Sequence, residues 1–169
     1  MTSALVGAIV FTDIVGFTQL TDEEGDDVAV ALLERQDQLV RAALPTGGRI
    51  VKELGDGLLL WFHEAAGAVA TCVELQGRFE RESALGAPLW VRMGVHWGSP
   101  RARGNDIVGR DVNLAARVTD LAGPGEVLCT GAVVEAAGSV PGVCFEKLGP
   151  VFVRGIVDPI PLSRAVNER

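Results

Sequence analysis

The sequence predicts an α+β fold with a ferredoxin-like βαββαβ core, in which an antiparallel sheet carries helices, followed by a C-terminal α/β extension. Three observations predict this class. Short apolar runs alternate with segments of helical periodicity over residues 5–96, an Asp-Gly pair separates two of the apolar runs, and prolines subdivide residues 127–165. The 169 residues are long enough to enclose one hydrophobic core, so we expect a single domain over residues 1–169.

The core begins with the apolar run Leu5–Thr12, which we interpret as a buried strand that carries Asp13 at its end. A loop or a one-turn helix is expected to follow. Apolar residues then recur at helical spacing over Asp26–Leu44, and Pro45 ends this helix.

The next two strands are predicted at Arg49–Glu53 and Leu58–Phe62. The segment Leu54–Gly57 between them contains the Asp-Gly pair of a tight hairpin, so Asp56 is expected at the hairpin tip. A second helix is predicted over Ala65–Ser83.

A fourth strand, Leu89–His96, completes the βαββαβ order, with its helices expected on one face of the sheet. We interpret Gly98–Asn105 as a polar connection and Val112–Leu121 as a third helix. The region Val127–Ala165 is expected to form short strands around a small helix, Ala132–Ala137. Prolines break this region: Pro141, Pro150, Pro159 and Pro161.

The charge balance excludes some partners. With 22 acidic and 15 basic residues, the net charge of −7 gives no electrostatic reason to expect a nucleic acid or an anionic membrane. Cys72, Cys129 and Cys144 are scattered, which fits buried reduced thiols and favours a cytoplasmic location. No apolar run approaches the roughly 20 residues of a membrane helix, and no signal peptide is recognised. A regulatory domain or a membrane tether outside these residues is compatible with the sequence.

Two carboxylates are expected to converge. Asp13 ends the first strand and Asp56 lies in the hairpin, and these elements are predicted to be neighbours in one sheet. Paired carboxylates with backbone carbonyls suit Mg²⁺ or Mn²⁺, and two such ions can hold the attacking and leaving oxygens of phosphoryl transfer. Asp also favours turns for conformational reasons, which explains either residue taken alone.

Four longer strings resemble class III adenylyl and guanylyl cyclases. Phe11–Thr18 (FTDIVGFT) resembles the first metal-binding motif of that family, Lys52–Gly57 (KELGDG) the second, and Gly109–Arg117 (GRDVNLAAR) the third. Arg92–Gly98 (RMGVHWG) resembles the family strand with a Gly-Val-His core. The strings occur in family order, and the resemblance extends over nearly the whole chain.

This resemblance implies that Asp13, Asp56 and the backbone carbonyl of Ile14 bind two divalent metal ions, Mg²⁺ or Mn²⁺. It implies that Lys52 donates to a ring nitrogen of adenine and that Asp106 accepts from the exocyclic amine. Guanine presents the opposite pattern at that edge, so the pair favours ATP over GTP.

The resemblance further implies that Asn113 orients the ribose and Arg117 stabilises charge on the α-phosphate. Four residues apart on a helix, the two side chains share one face, although an exposed polar face alone gives the same pattern. Arg154 aligns with a basic residue that the family places near the terminal phosphates of the nucleotide. Arg101 or Arg103 is a candidate for the β-phosphate, although surface arginines are common.

The implied reaction converts ATP into cyclic AMP and pyrophosphate. The acceptor of the ribose 3′ proton stays open among water, a substrate phosphate and Asp13. His63 and His96 are not assigned as general bases, because a lone histidine at a strand end more often packs or forms hydrogen bonds.

In the family the metal-binding aspartates come from one subunit and the purine, ribose and α-phosphate residues from the other. This chain carries both sets, which implies a homodimer with two complete sites. Alternatives are a guanylate cyclase, a catalytically silent cyclase-like nucleotide-binding or signalling module, and a ferredoxin-like interaction domain. A diguanylate cyclase is disfavoured because its Gly-Gly-(Asp/Glu)-Glu-Phe signature is missing at the hairpin.

Overall fold

The computed structural model describes residues 3–168. The elements in chain order are β1 Ser3–Ala4, β2 Gly7–Ile14, α1 Phe17–Glu24, α2 Asp26–Ala43, β3 Gly48–Leu54, β4 Gly57–Phe62, α3 Ala65–Ala84, β5 Val91–Gly98, β6 Arg101–Arg103, β7 Asp106–Val108, α4 Arg110–Leu121, β8 Val127–Thr130, α5 Gly131–Ala137, β9 Val143–Val151 and β10 Ile160–Asn167.

The main sheet has seven strands in the order β3-β4-β2-β5-β8-β10-β9. Its first four strands pair antiparallel throughout, which confirms the predicted ferredoxin-like core. The C-terminal extension joins this core through a parallel pairing of β8 with β5, after which β10 and β9 add antiparallel. The predicted α+β class with an α/β extension is therefore confirmed.

Helices cover both faces of the sheet. Alternate residues of β2 such as Val10 pack with α2 and α3 in the largest core cluster. The intervening residue Ile9 packs instead with Val112 and Ala115 of α4. The expectation of helices on one face holds for α2 and α3, whereas α4 lies on the opposite face, which is called the α4 face below.

The segment after β2 is more helical than expected. In place of a loop or a single turn, the eight-residue helix α1 follows. Phe17 and Leu20 pack against the core, and most other positions of α1 are exposed. Two apolar anchors in so short a segment are too few to show helical periodicity in the sequence.

The segment interpreted as a polar connection contains strand β6. It pairs with β7 in a hairpin and with β1, and the three strands form a second small sheet. Three-residue strands rich in charged side chains have no apolar alternation from which they could be recognised.

The C-terminal strands are longer than predicted, with nine residues in β9 and eight in β10. Pro150 and Pro161 lie inside these strands, opposite one another. β9 is the edge of the sheet, and β8 pairs only with Leu162–Arg164 of β10, so both prolines avoid central positions of the ladder.

The expectation of buried thiols holds for Cys72 and Cys129 and is wrong for Cys144. Burial raises the pKa of Cys72 to about 12. Cys144 lies on β9 between Val143 and Phe145, which pack against the core, so its own side chain points away from the core. Within residues 3–168, no helix has the length and apolar content needed to cross a lipid bilayer.

Candidate nucleotide and metal site

The two predicted metal ligands meet at one edge of the core. Asp13 is the second-last residue of β2 and lies opposite Gly57, the first residue of β4. Asp56 occupies the β3–β4 turn, and its carbonyl oxygen accepts the backbone N–H of Ile14 at 3.0 Å. A side chain at Gly57 would overlap the carbonyl of Thr12, so only glycine permits this close approach. The structure therefore brings together Asp13, Ile14 and Asp56.

Buried polar groups hold this arrangement from the opposite face. The hydroxyl of Thr12 donates to Gln36 Oε1 at 2.9 Å and accepts the Leu58 N–H at 3.1 Å. Gln36 is 1% exposed, so its amide oxygen depends on this partner. These two residues were not identified from the sequence. The available signal was Gln36 itself, a polar residue within the apolar stripe of α2.

The carboxyl groups of Asp13 and Asp56, called the carboxylate pair below, interact with each other. Burial, a side-chain hydrogen bond with Asp13 and the negative charge of Asp13 together raise the pKa of Asp56 to about 6. A carboxylate pair of this kind is stabilised by a cation. Carboxylate and carbonyl oxygens are the ligands that Mg²⁺ and Mn²⁺ prefer, so the residues fit such ions.

A positive side chain already neutralises this site. Arg92 Nε lies 2.7 Å from Asp13 Oδ2, and Arg92 Nη1 donates to the Asp120 carbonyl at 3.1 Å. Arg92 was not singled out from the sequence, although it lies in a recognised string. It is directly opposite Asp13 in the β2–β5 ladder, so cross-strand charge complementarity was the signal available once the strands were paired.

The protein supplies few ligands to any ion here. Among the described residues, no group of three or more His, Cys, Asp or Glu side chains is arranged to hold a metal. Asp13, Asp56 and the Ile14 carbonyl alone would form an incomplete shell for an ion, which phosphate oxygens and water would have to complete. Mg²⁺ sites in phosphoryl-transfer enzymes are commonly completed in this way.

The predicted adenine-binding residues are in direct contact. Lys52 Nζ lies 2.9 Å from Asp106 Oδ2, and Asp106 Oδ1 accepts the Ile107 N–H at 2.8 Å. The hydrogen bond from Lys52 lowers the pKa of Asp106. Both side chains are partly exposed, at 43% and 35%. A donor and an acceptor therefore stand side by side and within reach of solvent.

A bulge places Lys52 on the same face as the carboxylate pair. The β3–β4 register shifts between Ile50 and Lys52, which brings Lys52 opposite Leu59. Leu59 in turn lies opposite Phe11, two residues before Asp13 on the same side of β2. Lys52 and Asp13 thus share the α4 face, although no described hydrogen bond or ion pair links them.

Helix α4 presents the predicted ribose and α-phosphate residues. Asn113 is exposed, and Arg117 donates a hydrogen bond to the backbone carbonyl of Arg154. Gly155 lies directly against the guanidinium, where a side chain would overlap it. The structure thus brings Arg117 to the loop that carries the phosphate candidate Arg154.

The remaining phosphate candidates lie in the small sheet. Arg101 and Arg103 are exposed on β6, opposite Val108 and Asp106 of β7. They belong to the hairpin that carries Asp106, and no described contact joins them to Asp13.

The histidines behave as expected for packed or hydrogen-bonded residues. His96 is buried and hydrogen-bonded through both ring nitrogens. His63 is exposed and lies edge-on to Trp61, with ring centroids 6.4 Å apart.

Comparisons with known proteins identify the family of the chain. Residues 5–162 match the sequence model of the adenylate and guanylate cyclase catalytic domain. The chain is 31% identical over 159 residues to the pH-sensitive adenylate cyclase MT1302 of Mycobacterium tuberculosis, covering 92% of this chain and 39% of that protein. It is 33% identical over 132 residues to an adenylate cyclase of Streptomyces coelicolor, covering 76% of this chain and 33% of that protein.

A solved structure shows the same fold. The adenylyl cyclase CyaB from P. aeruginosa superposes with a TM-score of 0.87 at 25% identity, covering 100% of this chain and 97% of that one. The chain spans only 39% and 33% of the length of the two relatives named above. The match over residues 5–162, together with the placement of the motif residues, shows that the chain belongs to the adenylate and guanylate cyclase catalytic-domain family.

Proposed function

We propose that residues 1–169 are a single adenylate cyclase catalytic domain that converts ATP into 3′,5′-cyclic AMP and pyrophosphate at sites shared across a homodimer. The observation that carries the choice of ATP is the contact between Lys52 and Asp106 on the face that holds the carboxylate pair. The cyclase relatives support the reaction class.

The adenine edge matches this pair. Adenine offers a ring nitrogen that accepts and an exocyclic amine that donates, so Lys52 serves the first and Asp106 the second. Guanine would present a protonated ring nitrogen to Lys52 and a carbonyl oxygen to Asp106. A donor would then face a donor at Lys52, and an acceptor would face an acceptor at Asp106, which strongly disfavours GTP. The ion pair between the two side chains must open to admit the base.

The carboxylate pair is assigned to divalent cations. Asp13, Asp56 and the Ile14 carbonyl would hold two Mg²⁺ or Mn²⁺ ions together with the triphosphate. Bound there, such ions lower the pKa of the ribose 3′-hydroxyl and neutralise charge on the departing pyrophosphate. Arg92 already pairs with Asp13. We infer that it would pair with phosphate oxygens instead once the carboxylates held cations.

The chain's other residues orient the reacting groups. The reaction forms a bond between the 3′-oxygen and the α-phosphorus and breaks the bond from that phosphorus to the bridging oxygen. Pyrophosphate leaves, and the 3′ proton is released to solvent overall. Asn113 orients the ribose, and Arg117 stabilises the charge that develops on the α-phosphate. Arg154, next to Arg117, binds the terminal phosphates, with Arg101 as a further candidate.

The homodimer follows from the distribution of these residues. The chain carries the cation-binding pair, the adenine pair and the α4 residues, so two copies supply two complete sites. Among the described residues, no hydrogen bond or ion pair joins Asp13 or Asp56 to Asn113 or Arg117, which fits sites completed by a second subunit. The longer relatives leave room for a regulatory region outside this chain. The buried free thiols of Cys72 and Cys129 favour a cytoplasmic location for the catalytic domain.

Product analysis tests this function. Purified protein is incubated with ATP or GTP and with Mg²⁺ or Mn²⁺, at concentrations that favour dimers, and the products are separated by chromatography. Cyclic AMP from ATP, with little cyclic GMP from GTP, is the expected result. Cyclic GMP as the main product would identify a guanylate cyclase. No product from either nucleotide would identify a silent module.

Mixing inactive variants tests the shared site. Each proposed site takes Asp13 from one subunit and Arg117 from the other. Asp13→Ala or Arg117→Ala therefore disables both sites of a homodimer, and each variant alone should be inactive. A mixture should form heterodimers with one intact site and recover part of the activity. Full activity of a demonstrable monomer, or no recovery in a mixture shown to contain heterodimers, would contradict the shared site.

A further inference from the structure

A buried histidine joins helix α4 to the central strand β5. His96 is 7% exposed and points to the α4 face between two glycines of the same strand. A side chain at Gly94 would overlap Thr119, and one at Gly98 would overlap Asp111. The helix therefore lies directly on the strand backbone, and His96 is the side chain between these two contacts.

The imidazole of His96 contacts the first turn of α4. Its Nε2 lies 3.1 Å from Asp111 Oδ1, and Asp111 Oδ2 accepts the backbone N–H of Ser99 at 2.7 Å. Because a carboxylate oxygen accepts, the N–H group of this bond is on Nε2, and it donates the hydrogen bond to Asp111. Asp111 is thus held by the end of β5 through two hydrogen bonds.

A threonine holds the other side of the ring. Thr130 Oγ1 lies 2.8 Å from His96 Nδ1, and Thr130 itself is 1% exposed. Thr130 is the N-cap residue of α5, yet its side chain makes no capping hydrogen bond. Threonine at that position usually caps the helix, and here its hydroxyl serves the imidazole instead. The ring is therefore oriented from both nitrogens.

We propose that His96 is a positioning residue that acts through Asp111 to fix helix α4 on β5, and thereby fixes Asn113 and Arg117 at the catalytic site. Asp111 lies two residues before Asn113 on the same helix, so rotation or sliding of the first turn displaces the side chains that meet the nucleotide. The catalytic consequence rests on the proposed cyclase function. Small displacements of orienting groups are costly because reactivity depends on alignment.

His96 does not act as a general base in this assignment. Both ring nitrogens have protein partners, and the side chain is only 9% exposed. Within residues 3–168 it forms no hydrogen bond or ion pair with Asp13, Asp56, Lys52 or Asp106. Its effect on the reaction is therefore transmitted by α4.

The test compares three variants. His96→Leu removes both hydrogen bonds and leaves Asp111 Oδ1 without its donor. His96→Gln retains an N–H group that reaches Asp111. Val133→Ala is the matched control, because it truncates a fully buried residue of α5 that packs in the core cluster of α2 and α3 rather than in those of α4. Asp111→Ala provides a second route to the same loss if His96→Leu does not fold.

Hydrogen exchange gives a readout that does not depend on activity. The backbone N–H of Asn113 donates to the Gly109 carbonyl at 3.1 Å, so its exchange rate reports on the first turn of α4. In His96→Leu we expect its protection to fall by about tenfold or more relative to amides in α2, and in Val133→Ala to follow α2. Unchanged relative protection of Asn113 in both His96→Leu and Asp111→Ala would overturn the proposal.

Kinetics then measure the catalytic consequence. We expect kcat of His96→Leu to fall by about tenfold or more while KM for ATP changes little, with most of kcat retained in His96→Gln. Equal losses of kcat in Val133→Ala and His96→Leu would show a merely structural role and overturn the proposal. If the wild-type protein forms no cyclic nucleotide, the proposed function fails, whereas the exchange comparison still decides whether His96 anchors α4.

Discussion

Arg92 Nε lies 2.7 Å from the carboxylate of Asp13, directly across the β2–β5 ladder. The same guanidinium contacts Asp120 near the end of α4, through the backbone carbonyl at 3.1 Å and the carboxylate at 3.6 Å. The residue proposed to bind cations is thus already paired with a positive side chain, so a divalent ion bound there would compete with Arg92 for the negative charge of Asp13.

Replacing Arg92 should therefore strengthen metal binding in the absence of nucleotide. Arg92→Gln leaves both carboxylates without their counter-ion, so Mn²⁺ should bind several-fold more tightly, as measured by electron paramagnetic resonance of free Mn²⁺. Arg78→Gln is the control, because Arg78 pairs with Glu74 on the surface of α3. Unchanged or weaker Mn²⁺ binding in Arg92→Gln would contradict the competition.

The raised pKa of Asp56 predicts a pH dependence of stability. Asp56 titrates near 6 in the folded metal-free protein and near 3.8 when unperturbed. The folded state holds this proton more tightly, so the stabilisation is complete below about pH 4 and is lost as pH rises through about 6. Solvent screening at this half-exposed site limits the effect to about 1 kcal/mol.

Urea unfolding in EDTA at pH 5 and pH 7.5 measures this effect. Between these pH values the wild-type protein should lose more stability than Asp56→Asn, whose neutral side chain cannot repel Asp13. Saturating Mn²⁺ should restore stability at pH 7.5 in the wild type and less so in the variant. Parallel pH profiles for the two proteins would show that Asp56 titrates normally.

The parts of the site that were predictable from the sequence are those carried by contiguous strings. Asp13 and Asp56 lie in such strings, and the strand-and-hairpin pattern predicted that they would meet. Arg92 and Gln36 were missed because their partners are 79 and 24 residues away along the chain. Such contacts depend on strand register and on the packing of α2, which periodicity alone does not specify.

The small sheet and the long C-terminal strands were missed for a related reason. Strand β6 has an exposed residue on either side of Ala102, so no apolar face marks it in the sequence. Pro150 and Pro161 predict breaks between strands. They are tolerated inside strands because β9 is the edge of the sheet and because the pairing of β10 with β8 begins after Pro161. Tertiary pairing, which appears only in the folded chain, decides both cases.

Exchanging donor and acceptor between Lys52 and Asp106, the two residues proposed to bind adenine, should change the preferred nucleotide. Lys52→Glu with Asp106→Asn presents an acceptor to the protonated ring nitrogen of guanine and a donor to its carbonyl oxygen. We expect kcat/KM for ATP to fall by about a thousandfold or more and the GTP-to-ATP ratio to rise. The measurement is kcat/KM for both nucleotides.

Arg49→Gln is the control for this exchange. Arg49 lies on the same strand as Lys52, and among the described residues its side chain hydrogen-bonds only to the Asn105 carbonyl, at 3.1 Å. Its loss should leave the ratio of the two nucleotides unchanged. An equal shift in the ratio for Arg49→Gln would assign the effect to movement of the hairpin rather than to base recognition.

Gly57 should be the least replaceable residue of the hairpin that carries Asp56. A methyl group there would overlap the Thr12 carbonyl, which can move only if β2 and β4 separate next to Asp13. Gly57→Ala should therefore cost about 3 kcal/mol or more in the free energy of unfolding and weaken Mn²⁺ binding. Gly67→Ala is the matched control, because Gly67 lies in α3 with open space around it, and alanine there should stabilise by about 0.5–1 kcal/mol. Urea denaturation of both variants measures the difference, and equal stabilities would show that the close approach of β4 to β2 is not needed to hold the carboxylate pair.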